Sequence, residues 1–285
     1  MIQNQHYLTT LADVNMPPLI YGTAWKKEHT AELVVQAIQA GFRGIDTACQ
    51  PKHYNEPQVG AALQRVKGEG VERKSLFIQT KFTPLSGQDA KQIPYDRDVP
   101  LDLQVAQSFA VSKSNLQTDY VDSFVLHSPL APHEQLMTAW QAMEKIQQTG
   151  AASQLGISNC YDLEVLKLLY NDAEVKPAIV QNRFYKNTNY DTELRRWCAN
   201  QGIIYQSFWS LTANPGVLSS HNVQAIAQKY QKTAAQIFFR YLTYLGIVPL
   251  TGTTSITHMK EDLAIFEFEL TPEDLSACGL FLKET

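Results

Sequence analysis

Three ionisable residues stand in equivalent places along this chain, each at the end of a short apolar run. Asp46 follows Phe42-Arg43-Gly44-Ile45, Lys81 follows Leu76 to Thr80, and His127 follows Val121 to Leu126. An imidazole transfers protons near neutral pH, and a lysine becomes a nucleophile when its pKa is lowered. The set therefore points to proton transfer or covalent lysine chemistry. No His-x-His pair or carboxylate cluster has the spacing of metal ligands, so a metal-dependent hydrolase ranks last.

What would bring the three together is a repeated unit. Eight short runs alternate with longer stretches of helical period: Leu19–Gly22, Gly44–Thr47, Leu76–Lys81, Val121–His127, Gln154–Ser158, Ala178–Asn182, Ile203–Phe208 and Ile247–Leu250. Repeated strand-helix units imply a parallel sheet, and eight without a second block of different composition imply one α/β domain, a (β/α)₈ barrel over residues 1–285. In such a barrel the C-terminal strand ends share the face that carries the active site.

Helices are expected at Thr30–Ala40, Pro132–Thr149, Asp162–Leu169, Thr192–Asn200, Thr233–Leu245 and Thr271–Lys283. Gly41, Gly150, Gly202 and Gly246 stand just past four of these ends, as C-caps do. Met1–Met16 reads as a small hairpin closing the barrel floor, and Phe82–Pro100 as a long loop of the kind that forms lids. The chain ends soon after its last helix-like segment, which predicts an open substrate pocket.

With 44% hydrophobic and 18% charged residues, the 285-residue chain can bury a large core. A net charge of -4 gives no broad cationic surface for nucleic acid or anionic lipid. Met1–Pro17 lacks a basic segment followed by an apolar run, and no stretch reaches membrane-spanning length. Cys49, Cys160, Cys198 and Cys278 are far apart in sequence, as free thiols of a cytoplasmic protein would be.

The segment Asp46-Thr47-Ala48, with Tyr54-Asn55-Glu56 and Val59-Gly60, resembles the signature of the aldo-keto reductases. The resemblance continues in order through Thr80-Lys81, Leu126-His127-Ser128-Pro129, Gly156-Ile157-Ser158-Asn159, Gln181 and Ser207-Phe208-Trp209-Ser210-Leu211. It implies NAD(P)H-dependent reduction of a small aldehyde or ketone by a tetrad of Tyr54, Lys81, Asp46 and His127. Tyr54 would protonate the carbonyl oxygen. Lys81, paired with Asp46, would ease that transfer, and His127 would orient and polarise the carbonyl.

By the same comparison Gly22, Thr23 and Asp46 belong to the cofactor site. Ser158, Asn159 and Gln181 would hold the nicotinamide carboxamide, Phe208 would stack on the ring, and Trp209 and Leu211 would lie beside it, backbone near Leu211 approaching the pyrophosphate. Thr251, Gly252, Thr253, Thr254, Ser255, His258, Glu261 and Asp262 would meet the adenosine end. The resemblance places Trp25 in the substrate pocket, with His53 and His127.

Two departures stand out. The segment between Asp46 and Asn55 is two residues longer than usual, and the usual spacing lands on Pro51 counted forward and on His53 counted back. Tyr54 is the favoured acid and His53 the fallback. The phosphate-binding segment also lacks the family's Lys and Arg, so NADP(H) is expected and NAD(H) stays open. Two other functions remain: a nucleotide-binding regulatory or sensor protein of the same fold, and a Schiff-base aldolase using Lys81. Substrate identity would rest on Trp25, the Phe82–Pro100 loop and the residues after Leu211.

Overall fold

The computed structural model describes residues 7–282. Eight parallel strands close into a barrel: β3 (Ile20–Gly22), β4 (Gly44–Asp46), β5 (Phe77–Phe82), β6 (Val121–Leu126), β7 (Ala152–Ser158), β8 (Ile179–Arg183), β9 (Ile204–Phe208) and β10 (Ile247–Thr251). They follow one another around the ring in chain order, and β10 pairs with β3 through Leu250 and Ile20. Each expected run becomes a strand.

Below the barrel, β1 (Leu8–Thr9) and β2 (Asn15–Met16) form the expected antiparallel hairpin, Leu8 opposite Met16. Residues 1–6 of that expectation lie outside the described residues. Met16 is fully buried, and its thioether accepts a hydrogen bond from Gln206 Nε2 at 3.2 Å.

The helices are α1 (Thr30–Ala40), α2 (Glu56–Gly68), α3 (Leu101–Leu116), α4 (His133–Gln148), α5 (Leu163–Asp172), α6 (Thr192–Asn200), α7 (Pro215–Leu218), α8 (His221–Tyr230), α9 (Ala234–Tyr244), α10 (Ile256–Leu263) and α11 (Pro272–Cys278). In α1 the stripe Leu33, Val34, Ala37 and Ile38 is buried. The helix ends as Gly41, at φ 127°, donates back to Ala37 and Ile38, a conformation that costs glycine least. The helix expected over Thr271–Lys283 ends at Cys278, and Gly279–Leu282 continues as a tighter 3₁₀ turn.

Helices α2, α3, α7 and α8 have no counterpart among the sequence expectations, and for α3 the structure shows why. In α3 the buried side includes Gln104, Ser108 and Ser112, while Leu103 is exposed, so apolar periodicity is erased. That polar stripe packs on α2, where Glu56 is buried and accepts from Thr80, from Ser112 Oγ at 2.9 Å and from Asn115 at 3.3 Å. A Cβ on Gly60 would stand 2.0 Å from the Asn115 carbonyl oxygen, so the approach of α2 to α3 requires glycine there. Among the described residues no helix is long and apolar enough to cross a membrane.

Candidate active site

At the C-terminal strand ends, Asp46, Lys81 and His127 come together as the barrel register demands. Lys81 Nζ donates to Asp46 Oδ1 at 2.6 Å, to Oδ2 at 2.7 Å and to the Thr47 carbonyl at 2.8 Å. Those contacts use all three ammonium protons. Burial pulls the Lys81 pKa down, and the Asp46 carboxylate opposes that fall. Lys81 is fully buried behind the cavity wall, a poor place for a Schiff-base nucleophile.

Asp46 is fixed from below by a column of amides inside the barrel. Gln79 Nε2 donates to Asp46 Oδ1 at 2.7 Å and Gln181 Nε2 to the same oxygen at 3.1 Å. Gln206 Oε1 accepts from both glutamines at 2.8 and 2.9 Å. Because a carboxylate only accepts, the Gln181 amide nitrogen must face inward, which leaves its carbonyl oxygen for the cavity.

Tyr54 lies over this pair. Its ring centroid is 5.3 Å from Lys81 Nζ and 6.0 Å from the His127 ring. The longer Asp46–Asn55 segment is taken up by a turn in which the His53 and Tyr54 amides both donate to the Gln50 carbonyl at 3.0 Å. Asn55 then caps α2, accepting from Gln58 N at 3.3 Å, and Glu56 ties the first turn to β5 and α3. The Tyr-Asn-Glu sequence thus sets the phenol one residue before a firmly anchored helix. Burial, reinforced by the negative charge of Asp46, raises the Tyr54 pKa, so the phenol keeps its proton at neutral pH.

His53 takes a different place. Its ring stacks on Trp25 at 4.0 Å between centroids, and its Nδ1 pairs with Gln50 Oε1 at 2.9 Å. Both rings line the cavity with Tyr54 and His127.

His127 is held by Thr83, whose Oγ1 is 2.6 Å from Nδ1. Burial, then the Lys81 charge, push its pKa well below the ordinary imidazole range, so the ring is neutral. A neutral imidazole carries one proton; a Thr83 hydroxyl that donates to Nδ1 leaves it on Nε2. Sequence reading missed Thr83, Gln50 and Arg183. Thr83 stands two residues after Lys81 in the same strand-end segment, the one signal that could have found it. Arg183 lines the cavity with its guanidinium 4.3 Å from the Trp209 ring.

These groups open on a cavity of about 810 Å³ running along the strand ends from Tyr54 to Glu261. Ser158 Oγ donates to the Gln181 main-chain carbonyl at 2.6 Å, and Asn159 Nδ2 donates to the His127 main-chain carbonyl at 2.8 Å. Their positions, with Gln181, form one polar patch beside Phe208. Gly22, Leu211, Thr251, Gly252, Thr253 and His258 line the far part. Asp262 is buried there, accepts from Thr251 Oγ1 at 2.7 Å, and has its pKa raised to about 6 by desolvation.

Besides Lys81, three of the expected residues lie off the cavity wall. Thr23 is fully buried and donates to the Asp46 carbonyl at 2.9 Å, which ties β3 to β4. Ser255 caps α10 by accepting from His258 N at 3.4 Å. Thr254 is also outside the lining.

Comparison with known proteins gives the family of the chain. A model described as the aldo/keto reductase family matches residues 18–281. An uncharacterised oxidoreductase of Bacillus subtilis, YtbE, is 33% identical over 92% of this chain and 88% of its own length. Glyoxal reductase of the same organism is 32% identical over 89% of this chain and 83% of its own. An aldo/keto reductase structure from Brucella melitensis superposes with a TM-score of 0.82 at 26% identity, covering 96% of this chain and 98% of that one. A silkworm (Bombyx mori) aldo-keto reductase solved in complex with NADPH gives 0.81 at 25% identity, covering 98% and 88%. With its barrel, its Asp46-Lys81 pair and a family match over nearly its whole length, the chain belongs to the aldo/keto reductase family.

Proposed function

We propose that this protein reduces a small aldehyde or ketone to the alcohol, using NADPH or NADH, with Tyr54 as the proton donor. One observation carries this reading: Tyr54, rather than His53, lies against both Lys81 and His127.

The cavity fits a dinucleotide on its own features. Its volume of about 810 Å³ is toward the upper end of small-molecule sites. Gln181 has both amide protons committed inside the barrel and presents a carbonyl oxygen suited to a carboxamide N–H. Phe208 supplies an aromatic face beside it. When bound, the reduced nicotinamide supplies a hydride to the carbonyl carbon.

The remaining work falls to the chain. His127 Nε2–H donates to the carbonyl oxygen and favours charge developing there. Tyr54 Oη–H passes its proton to the same oxygen. Lys81 stays an ammonium, locked by Asp46 and Thr47, and its charge stabilises the phenolate left behind. Trp25 and His53, stacked at the mouth, form the wall that a substrate side chain meets.

The test is oxidation of NADPH and of NADH over a panel of aldehydes and ketones by wild type, Tyr54→Phe and His53→Ala. Turnover lost in Tyr54→Phe and kept in His53→Ala is the expected result. The reverse pattern would make His53 the acid. Nucleotide binding without turnover on a broad panel would favour a regulatory role.

A further inference from the structure

Arg183 closes β8 and lines the cavity, and neither the hydride nor the proton transfer uses it. It stands two residues beyond Gln181. Alternate residues of a strand share a face and the chain rises about 3.3 Å per residue, so Arg183 lies about 6–7 Å nearer the mouth on the side of β8 that carries Gln181. Its guanidinium is held by its faces: Cζ is 4.3 Å from the Trp209 ring centroid and 5.3 Å from that of Tyr185. Trp209 reaches it from the end of β9 with a left-handed φ of 57°, a backbone that disfavours a side chain of that size. The Arg183 main-chain N–H donates to Tyr161 Oη at 3.2 Å, and Tyr161 Oη donates to Asn159 Oδ1 at 3.3 Å, which ties this strand end to the polar patch beside Phe208.

Stacking occupies the faces of a guanidinium and leaves its edge, where five N–H donors lie in one plane. That edge is unused. Among the described residues no hydrogen bond or ion pair engages the Arg183 side chain, and its Nε is buried without a partner. A buried donor left unpaired is destabilising until an acceptor reaches it. The carboxylates that line the cavity among the described residues stand elsewhere: Asp46 is locked by Lys81, and Glu261 and Asp262 are at the far end. An arginine fork clamped by aromatic rings, with no acid of its own, fits a planar anion that offers two oxygens.

We propose that Arg183 is a substrate-specificity residue: its fork takes a carboxylate carried by the carbonyl substrate, so the favoured substrates are oxo acids. This rests on the reductase reading above. The carboxylate is a spectator. Hydride adds to the carbonyl carbon, the Tyr54 proton goes to the carbonyl oxygen, and the product is the hydroxy acid. A substrate carboxylate is favoured over a cofactor phosphate by position: the arginine lies beyond Gln181 and against Trp209, next to Phe208, whereas Gly22, Leu211 and Thr251 to Thr253 line the far part of the cavity.

The test is kcat/KM of wild type, Arg183→Met and Arg183→Lys on pairs of aldehydes that differ by one charge: para-formylbenzoate against its methyl ester, and the half-aldehyde of succinate against its methyl ester. Thermal melts confirm the fold of each variant, and calorimetry follows nucleotide affinity. In Arg183→Met the ratio of acid to ester is expected to fall about tenfold to a hundredfold, the loss of one charge-assisted contact. Arg183→Lys keeps the charge without the fork, so its ratio should fall less. An unchanged ratio in folded Arg183→Met overturns the inference; if nucleotide affinity drops in its place, the fork serves a cofactor phosphate. Wild type that reduces neutral carbonyls and neither acid overturns it as well. Wild type that reduces nothing removes the reductase reading itself and the inference with it. Should Arg183→Met not fold, Arg183→Gln carries the same comparison.

Discussion

At the scale of single residues, the site separates groups that hold charge from groups that hold protons. Lys81 is an ammonium with every proton committed, whereas Tyr54 and His127 face the cavity with protons to give. Tyr54→Phe removes one proton donor without changing the ring, so kcat is expected to fall about a hundredfold or more while nucleotide affinity stays unchanged in calorimetry. Thr83 bears on His127 through the pairing of its hydroxyl with Nδ1. Thr83→Val is expected to lower kcat about tenfold, the scale of one hydrogen bond, and Thr83→Ser to restore it. A Thr83→Val enzyme of normal kcat would show that His127 needs no such partner.

At the scale of elements, α2 presents the phenol and its packing on α3 decides where the phenol stands. Gly60→Ala would drive a methyl group into the Asn115 carbonyl; such overpacking costs about 1–3 kcal/mol. Urea unfolding of the variant should show that loss, and a stability equal to wild type would mean that α2 and α3 separate easily. Asn55→Ala removes the cap of α2, for about 1 kcal/mol, and since Tyr54 directly precedes it, kcat should fall as well. The repeated strand-helix pattern made the barrel legible, because parallel strands buried on both faces are nearly continuous apolar runs. Helix α3 was hidden because Gln104, Ser108 and Ser112 interrupt its buried side; α2 carries a buried stripe of Val59, Ala62, Leu63 and Val66 that was legible and was not read.

For the whole molecule, burying neutral imidazoles makes stability depend on acid. His127 is held well below the ordinary range by burial and by Lys81, and His53 is lowered by burial and by Lys52. In the unfolded chain both take up protons near pH ~6.5. Below that pH the unfolded state binds more protons than the folded one, so stability falls as pH falls, with a slope approaching about 1.4 kcal/mol per pH unit for His127 and a smaller one for the partly exposed His53. Stability conferred by the neutral rings is full above that pH and is lost as pH drops toward the folded pKa. Urea midpoints measured from pH 7 to 5 should decline, and less steeply in His127→Asn; an equal decline would place the sensitivity elsewhere.

The order of residues along the chain was enough to determine the barrel and the places of Asp46, Lys81 and His127, because strand period and strand end are local properties that a register carries into space. The Tyr-Asn-Glu and Ser-Asn motifs were legible through the family resemblance and not through period. Which of Tyr54 and His53 meets Lys81 was a matter for the tertiary structure alone, since it depends on a turn closing on the Gln50 carbonyl. So did the pairing of Thr83 with His127, the amide column under Asp46 and the stacking of Arg183 on Trp209. Each joins segments distant in sequence or turns on a loop conformation, and no periodicity along a chain records which side chains the closing of a barrel will bring within a hydrogen bond of each other.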